Sequence, residues 1–290
     1  MQVGIVTDST CDLPTASLLR LGVASVPLKL KLGDEVYRDW RDINPTTVYQ
    51  QMLEHKHMPV ITAPDAADFI PVYRRYLSAY KHIVSIHIAS SFSNTLEHAQ
   101  EAASHLGVED RVHFVDSGTT SAALAEMVIA AANEAAAGLS VEDVLWFVHR
   151  MRESMYLLAC PASLEWLYQH GQLSTTMGKV AEILNLRPLY SLEQGTLRSE
   201  GQVRQQAMLH KLAQRVYQRF DQEALHITLF STDSNEATVN GLKRATEEVG
   251  LNILQGRVQQ LGITLGAQLG PGTLGLCACP KIYSLSGLVD

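Results

Sequence analysis

No stretch of this sequence approaches the roughly 18 apolar residues that a membrane-spanning helix requires, so no membrane span is expected. The opening residues, MQVGIVTDST, lack the basic start and long apolar segment of a secretory signal, and the expected compartment is the cytoplasm. Lys and Arg form no run and the formal net charge is −7, which argues against nucleic acid or an anionic lipid surface as a partner. The four cysteines, Cys11, Cys160, Cys277 and Cys279, are too few and too badly spaced for a disulfide framework. Cys277 and Cys279 share a face if they lie on a strand; core packing is the plainer reading, since a metal site calls for CxxC or a nearby His. The phosphate-cradling patterns GxxxxGK[ST] and GxGxxG are missing, as is the GxSxG nucleophile elbow. No cofactor and no metal are therefore expected.

What the chain does have is 46% apolar residues over 290 positions, enough for one large domain or two ordinary ones. In the first half, short branched runs alternate with helical patterns: VGIVTD (3–8), HIVSIHIA (82–89) and VHFVDS (112–117) are apolar on both faces, as buried parallel strands are. Helical stretches follow each of them. One opens near Pro14, and one starts at Asn94 with Glu97 as a capping box and closes at Gly107. A third is Ala-rich and stops at Gly138. SVEDVLWFVHRMRESM reads as a further amphipathic helix linking the halves. The second half carries a hairpin signal around Gln194-Gly195 in RPLYSLEQGTLR. LHITLFST, GITLGAQL and the segment after Gly270-Pro271-Gly272 read as strands. The expectation is an α/β chain: a three-layer α/β/α domain with a parallel sheet over residues 1–152, and a two-layer α+β domain with a mixed sheet over 153–290.

Ligands of an open parallel sheet bind beyond the carboxyl ends of its strands. All three expected strand ends carry hydroxyls: Thr7 to Thr10, the cluster Ser90, Ser91, Ser93, Asn94 and Thr95, and Ser117 to Ser121. Helix capping explains any one of them. Together they also suit a small anion such as a carboxylate at a helix start. His55 and His57, two apart in a polar segment, fit a solvated helix end better than a metal site, and His87 fits a core histidine.

Along essentially its whole length the chain resembles the DegV family. GIVTDSTCDLP is similar to that family's opening IVTDSTADLP. VYRDWRDINPTTVYQQM, ITAPDAADF, SSFSNTLEHAQ, FVDSGTTSAAL, LEWLYQHGQLS, ILNLRPLYSLEQGTL, GQVRQQAM and LGPGTLGL follow in the family's order. The resemblance implies two domains with a ligand tunnel at or near their interface. It implies a non-catalytic bacterial protein that binds a long-chain fatty acid and, where the corresponding fatty acid kinase exists, presents the acid to it. Carried over position by position, the carboxyl contacts are Thr62 and Ser93, with Asn94 and Thr95 completing the motif. Gln268 stands where the family has a His near the head group, Gln172 where it has an Arg, and Ile61 and Asp65 where it has Thr and Ser. Arg204 keeps the Arg of the family's VRG, as a head-group or partner contact. The alternatives are a Ser-dependent acyl-transfer or hydrolytic enzyme using Ser91 or Ser93, a binding protein for another amphiphile, and a subunit that chiefly contacts a kinase.

Overall fold

The computed structural model describes residues 2–56, 58–163, 166, 186–233 and 235–282. In chain order these give β1 (Val3–Asp8), a 3₁₀ turn (Ser9–Cys11), α1 (Thr15–Leu21), β2 (Ala24–Val26), β3 (Lys29–Leu32), β4 (Glu35–Arg38), α2 (Pro45–His55), β5 (Val60–Thr62) and α3 (Ala66–Leu77). Next come β6 (His82–His87), α4 (Thr95–Leu106), β7 (Val112–Asp116), α5 (Ser121–Ala136), α6 (Val141–Ser154) and β8 (Tyr156–Cys160). The hairpin β9 (Leu186–Glu193) and β10 (Thr196–Arg204) leads to α7 (Met208–Phe220), β11 (Leu225–Ser231), α8 (Glu236–Val249), β12 (Ile253–Gln260), α9 (Ile263–Leu269) and β13 (Leu274–Pro280).

The apolar runs with no polar face do form a parallel sheet, in the order β2-β1-β6-β7. Alternate residues feed opposite cores. Val6 and Ile83 pack with Phe69, Tyr73 and the alanines of α4 on one face, while Ile5, Val84 and Ile86 pack on α5 on the other. The later strands build a six-stranded mixed sheet, β10-β9-β8-β13-β11-β12, in which only β11 and β12 run parallel. One face of it, through Tyr156, Leu158 and Ile227, covers α7. The other, through Leu157, Ala159 and Cys277, joins the same apolar cluster as Ile5 and Ile86. Helix α5 thus lies between two sheets, and its buried face is mostly alanine.

Three features differ from the reading of the sequence. A small antiparallel sheet, β4-β3-β5, was not expected. Its strands have three or four residues each and carry Lys29, Lys31 and Arg38, while Leu30 faces inward on Val48 and Met52 of α2. GITLGAQL is helix α9 rather than a strand, because a short apolar run has too little periodicity to separate the two. At α4, Asn94 is the cap residue but its side chain makes no capping bond; the reciprocal capping box belongs to Asp65 and Asp68 at α3.

The Gln194-Gly195 hairpin is present with both residues at positive φ, 48° and 77°, the turn a tight two-residue hairpin requires. All four cysteines are free and buried, and Cys277 and Cys279 pack in one cluster. Among the described residues no helix is long and apolar enough to cross a membrane, and no cluster of His, Cys, Asp or Glu could hold a metal ion. His55 is exposed, and His57 lies outside the described residues.

Candidate functional site in a cavity between the two sheets

The carboxyl ends of β1 and β6 are locked together by a buried polar chain. Asp8 accepts from Thr10 N and Oγ1 at 2.9 and 2.5 Å, from Ile88 N at 3.0 Å, and from His87 Nδ1 at 3.0 Å. His87 Nε2 meets Ser85 Oγ at 2.7 Å, and Ser85 Oγ meets Tyr73 OH at 2.9 Å. Every member is fully buried. A buried carboxylate persists only when its lone pairs are occupied, and here four donors converge on it. His87 is thus a satisfied core histidine with both ring nitrogens engaged.

Beyond these ends opens a cavity with about 130 Å³ of enclosed space, within about 880 Å³ of empty volume when the open mouth is counted. One wall is Ile88, Phe92 and Ser93 after β6 with Thr120 after β7, and a second is Leu28 with Ile61, Thr62 and Ala63. The mixed sheet supplies Leu157, Ala159, Tyr190, Leu192 and Leu197, and α9 supplies Thr264, Leu265, Gln268 and Leu269. Phe92 and Leu197 are apolar yet 45% and 47% exposed, so the cavity continues to the surface as an apolar opening.

Two joints hold these walls. Tyr49 OH of α2 donates to the carbonyls of Leu261 and Gly262, at 2.8 and 2.9 Å, just before α9. A Cβ at Gly266 would lie 1.8 Å from that hydroxyl, so the close approach of α2 and α9 requires glycine there. At the second joint the hairpin tip meets the strand-end loops: Ser91 Oγ donates to the Gly195 carbonyl at 2.8 Å, and Gly195 N donates to the Gly118 carbonyl at 2.5 Å.

The residues singled out in the sequence divide into three groups. Thr62, Ser93 and Gln268 line the cavity. Thr95 does not, but stands behind Ser93: it is fully buried, its N–H donates to Ser93 Oγ at 3.3 Å, and the two hydroxyls are 2.8 Å apart. Asn94 and Arg204 are exposed and are not among the lining residues, and Gln172 lies outside the described residues. The hydroxyls of the first strand end turn inward instead of facing the cavity. Thr10 serves Asp8, and Ser9 accepts from Leu28 N at 3.0 Å.

Residues 2–281 match the model of the family described as uncharacterised protein, DegV family. The chain belongs to the DegV family. A DegV domain-containing protein of Clostridium perfringens is 28% identical over 284 residues, covering 95% of this chain and 97% of its own. A DegV family protein from Thermus thermophilus, whose structure is described as fatty acid binding, superposes with a TM-score of 0.86 at 30% identity, covering 97% of this chain and 100% of its own. A stearic acid-binding protein from Eubacterium ventriosum shares the fold with a TM-score of 0.83 at 22% identity, over 97% of this chain and 99% of its own.

Within this DegV chain, reasoning from sequence missed Leu28, Phe92, Leu197 and Thr264 as lining residues. Thr264 sits in the segment read as a strand. Phe92 had a usable signal, a bulky apolar residue inside a run of hydroxyls.

Proposed function

We propose that this protein binds a long-chain fatty acid without turning it over, with the tail along the apolar walls and the head among Thr62, Ser93 and Gln268. The carrying observation is the cavity itself, apolar on most sides and studded with uncharged hydrogen-bonding groups. The bond from His98 Nδ1 to the Pro64 carbonyl, 2.7 Å, brings the first turn of α4, next to Ser93, against the loop that follows Thr62. The Thermus thermophilus relative supports the ligand class. Thr95 then acts as an orienter: its N–H donates to Ser93 Oγ, and when its hydroxyl donates across the 2.8 Å contact as well, the Ser93 proton is left for a carboxyl oxygen. Nothing favours the serine-enzyme reading, since Ser91 bonds to the Gly195 carbonyl and Ser93 to Thr95, neither of them a base. Presentation of the acid to a fatty acid kinase is the further part of this reading and rests on the family resemblance alone.

The division of labour follows from magnitudes. Each buried methylene contributes about 0.8 kcal/mol, so some fifteen offer on the order of 10 kcal/mol before ordering costs. One neutral hydrogen bond nets about 1 kcal/mol. Denaturing the purified protein and analysing the extract by mass spectrometry is expected to release a long-chain fatty acid in near-stoichiometric amount. An empty extract, from protein that also fails to take up added palmitate, refutes the reading. Ser93→Ala is expected to weaken palmitate binding only about fivefold, in line with one lost hydrogen bond. Complete loss of lipid in that variant would place the affinity in the head rather than the tail.

A further inference from the structure

The lining residues that can hydrogen-bond are Thr62, Ser93, Thr120, Tyr190, Ser191, Thr264 and Gln268, of which Ser191 gives its hydroxyl to Glu200 at 2.8 Å; among the described lining residues none is Lys, Arg, His, Asp or Glu. What stands directly behind this lining is acidic. Asp8 accepts the N–H of Ile88, a lining residue, at 3.0 Å. Asp39 is joined through its own N–H to the carbonyl of Leu28, another lining residue, at 2.9 Å. Asp12 accepts from Ser121 Oγ at 2.6 Å, next to Thr120. It also packs on Gly262 at the start of α9, where a Cβ would lie 1.7 Å from its Oδ1. All three aspartates are buried, at 0%, 3% and 2% exposure for Asp8, Asp39 and Asp12.

Of the nearby basic groups, Lys29, His87 and His98 are engaged elsewhere. Lys29 pairs with Thr62 in the sheet register, but its ammonium is held by both Asp65 and Asp68. Arg152 packs against Gly118, where its Nε is buried without a hydrogen-bond partner, and it is not among the lining residues. His87 is bonded to Asp8 and Ser85, and His98 to the Pro64 carbonyl. Cys11 and Tyr49, beside the same aspartates, are kept uncharged because burial pushes both well up.

A carboxylate entering this corner loses water with no lining cation to offset the loss, and this favours its protonated form. The resident acids already respond in that sense. Burial first, and neighbouring aspartates after it, hold Asp12 well above the usual carboxylate range and push Asp39 up to about 7. Hydroxyls and a carboxamide can each give and accept a hydrogen bond, which matches a carboxyl group that carries its own O–H. We propose that the cavity holds its ligand's head group uncharged: a fatty acid is bound as the un-ionised acid, and a neutral amphiphile of the same length binds as well. This rests on the reading that the cavity takes a long-chain acid.

The test compares palmitic acid with hexadecan-1-ol on the intact, delipidated protein by calorimetry between about pH 6 and pH 9. An acid that must regain its proton on binding loses affinity by roughly tenfold per pH unit, whereas the alcohol stays level. In buffers of different ionisation heat, the acid should take up about one proton on binding and the alcohol none. Level palmitate affinity with no proton uptake, or an alcohol at least about a hundredfold weaker than the acid near pH 6, overturns the proposal. Equal slopes for both ligands also overturn it, because the titrating group would then belong to the protein. If neither ligand binds, the lipid-binding reading itself fails and takes the proposal with it.

Discussion

Ala159→Phe is expected to lower palmitate affinity by at least about a hundredfold and to yield purified protein free of lipid. Ala159 lies on β8, in the cavity wall that faces α5. A phenyl ring there takes the space of four or five methylenes, and at about 0.8 kcal/mol each their exclusion costs about 3–4 kcal/mol of binding. Overpacking a closed core typically costs about 1–3 kcal/mol of stability, but here the ring projects into existing space. Thermal unfolding should therefore shift little. Leu265→Trp fills the same space from α9, across from the sheet, and is expected to act alike, so a folding defect in one variant does not decide the matter. Stoichiometric fatty acid in extracts of both variants would mean that the lipid lies elsewhere.

Asp8→Ala is expected to cost about 3–5 kcal/mol of stability, a large share of the about 5–15 kcal/mol that holds a domain folded. The aspartate occupies four donors at once: two from Thr10, one from Ile88 and one from His87. Alanine leaves these buried and unsatisfied, and each such group costs about 1–3 kcal/mol. Asp8→Asn keeps one carboxamide oxygen as an acceptor and should fall between the two. Denaturant midpoints of the three proteins measure the order; an unchanged midpoint for Asp8→Ala would show that the polar chain does not hold β1 to β6.

This also explains why the opening signature of the chain was legible as fold but only partly as site. VGIVTD was recognisable as a buried strand because both faces are apolar. The hydroxyls after it looked like ligand contacts, yet Thr10 and Ser9 are spent on Asp8 and Leu28. A hydroxyl that caps its own loop and one that faces a cavity look identical in sequence, and only the packing around them separates the two. The same limit applies to α9: seven residues with two polar side chains, Thr264 and Gln268, among the cavity lining carry no period that distinguishes helix from strand. Strands β3, β4 and β5 escaped notice because each is too short to show alternation clearly. The hairpin at Gln194-Gly195 was readable because turn chemistry is local, and the helix Val141–Ser154 because its apolar residues recur along one face. Thr62, Ser93 and Gln268 were reached through resemblance, because the chain segments that bring them together are separated by most of the molecule's length.

The alanines of α5 carry a consequence for ligand selection. This helix is a spacer whose thickness sets the gap between the sheet that ends in Ile88 and the sheet that carries Ala159. Ala122, Ala125 and Ala131 are fully buried there, so a larger residue at any of them has no room except by prising the sheets apart. Drift in a helix none of whose residues line the cavity would then change its bore, and with it the girth of ligand that fits, while every wall residue stayed the same.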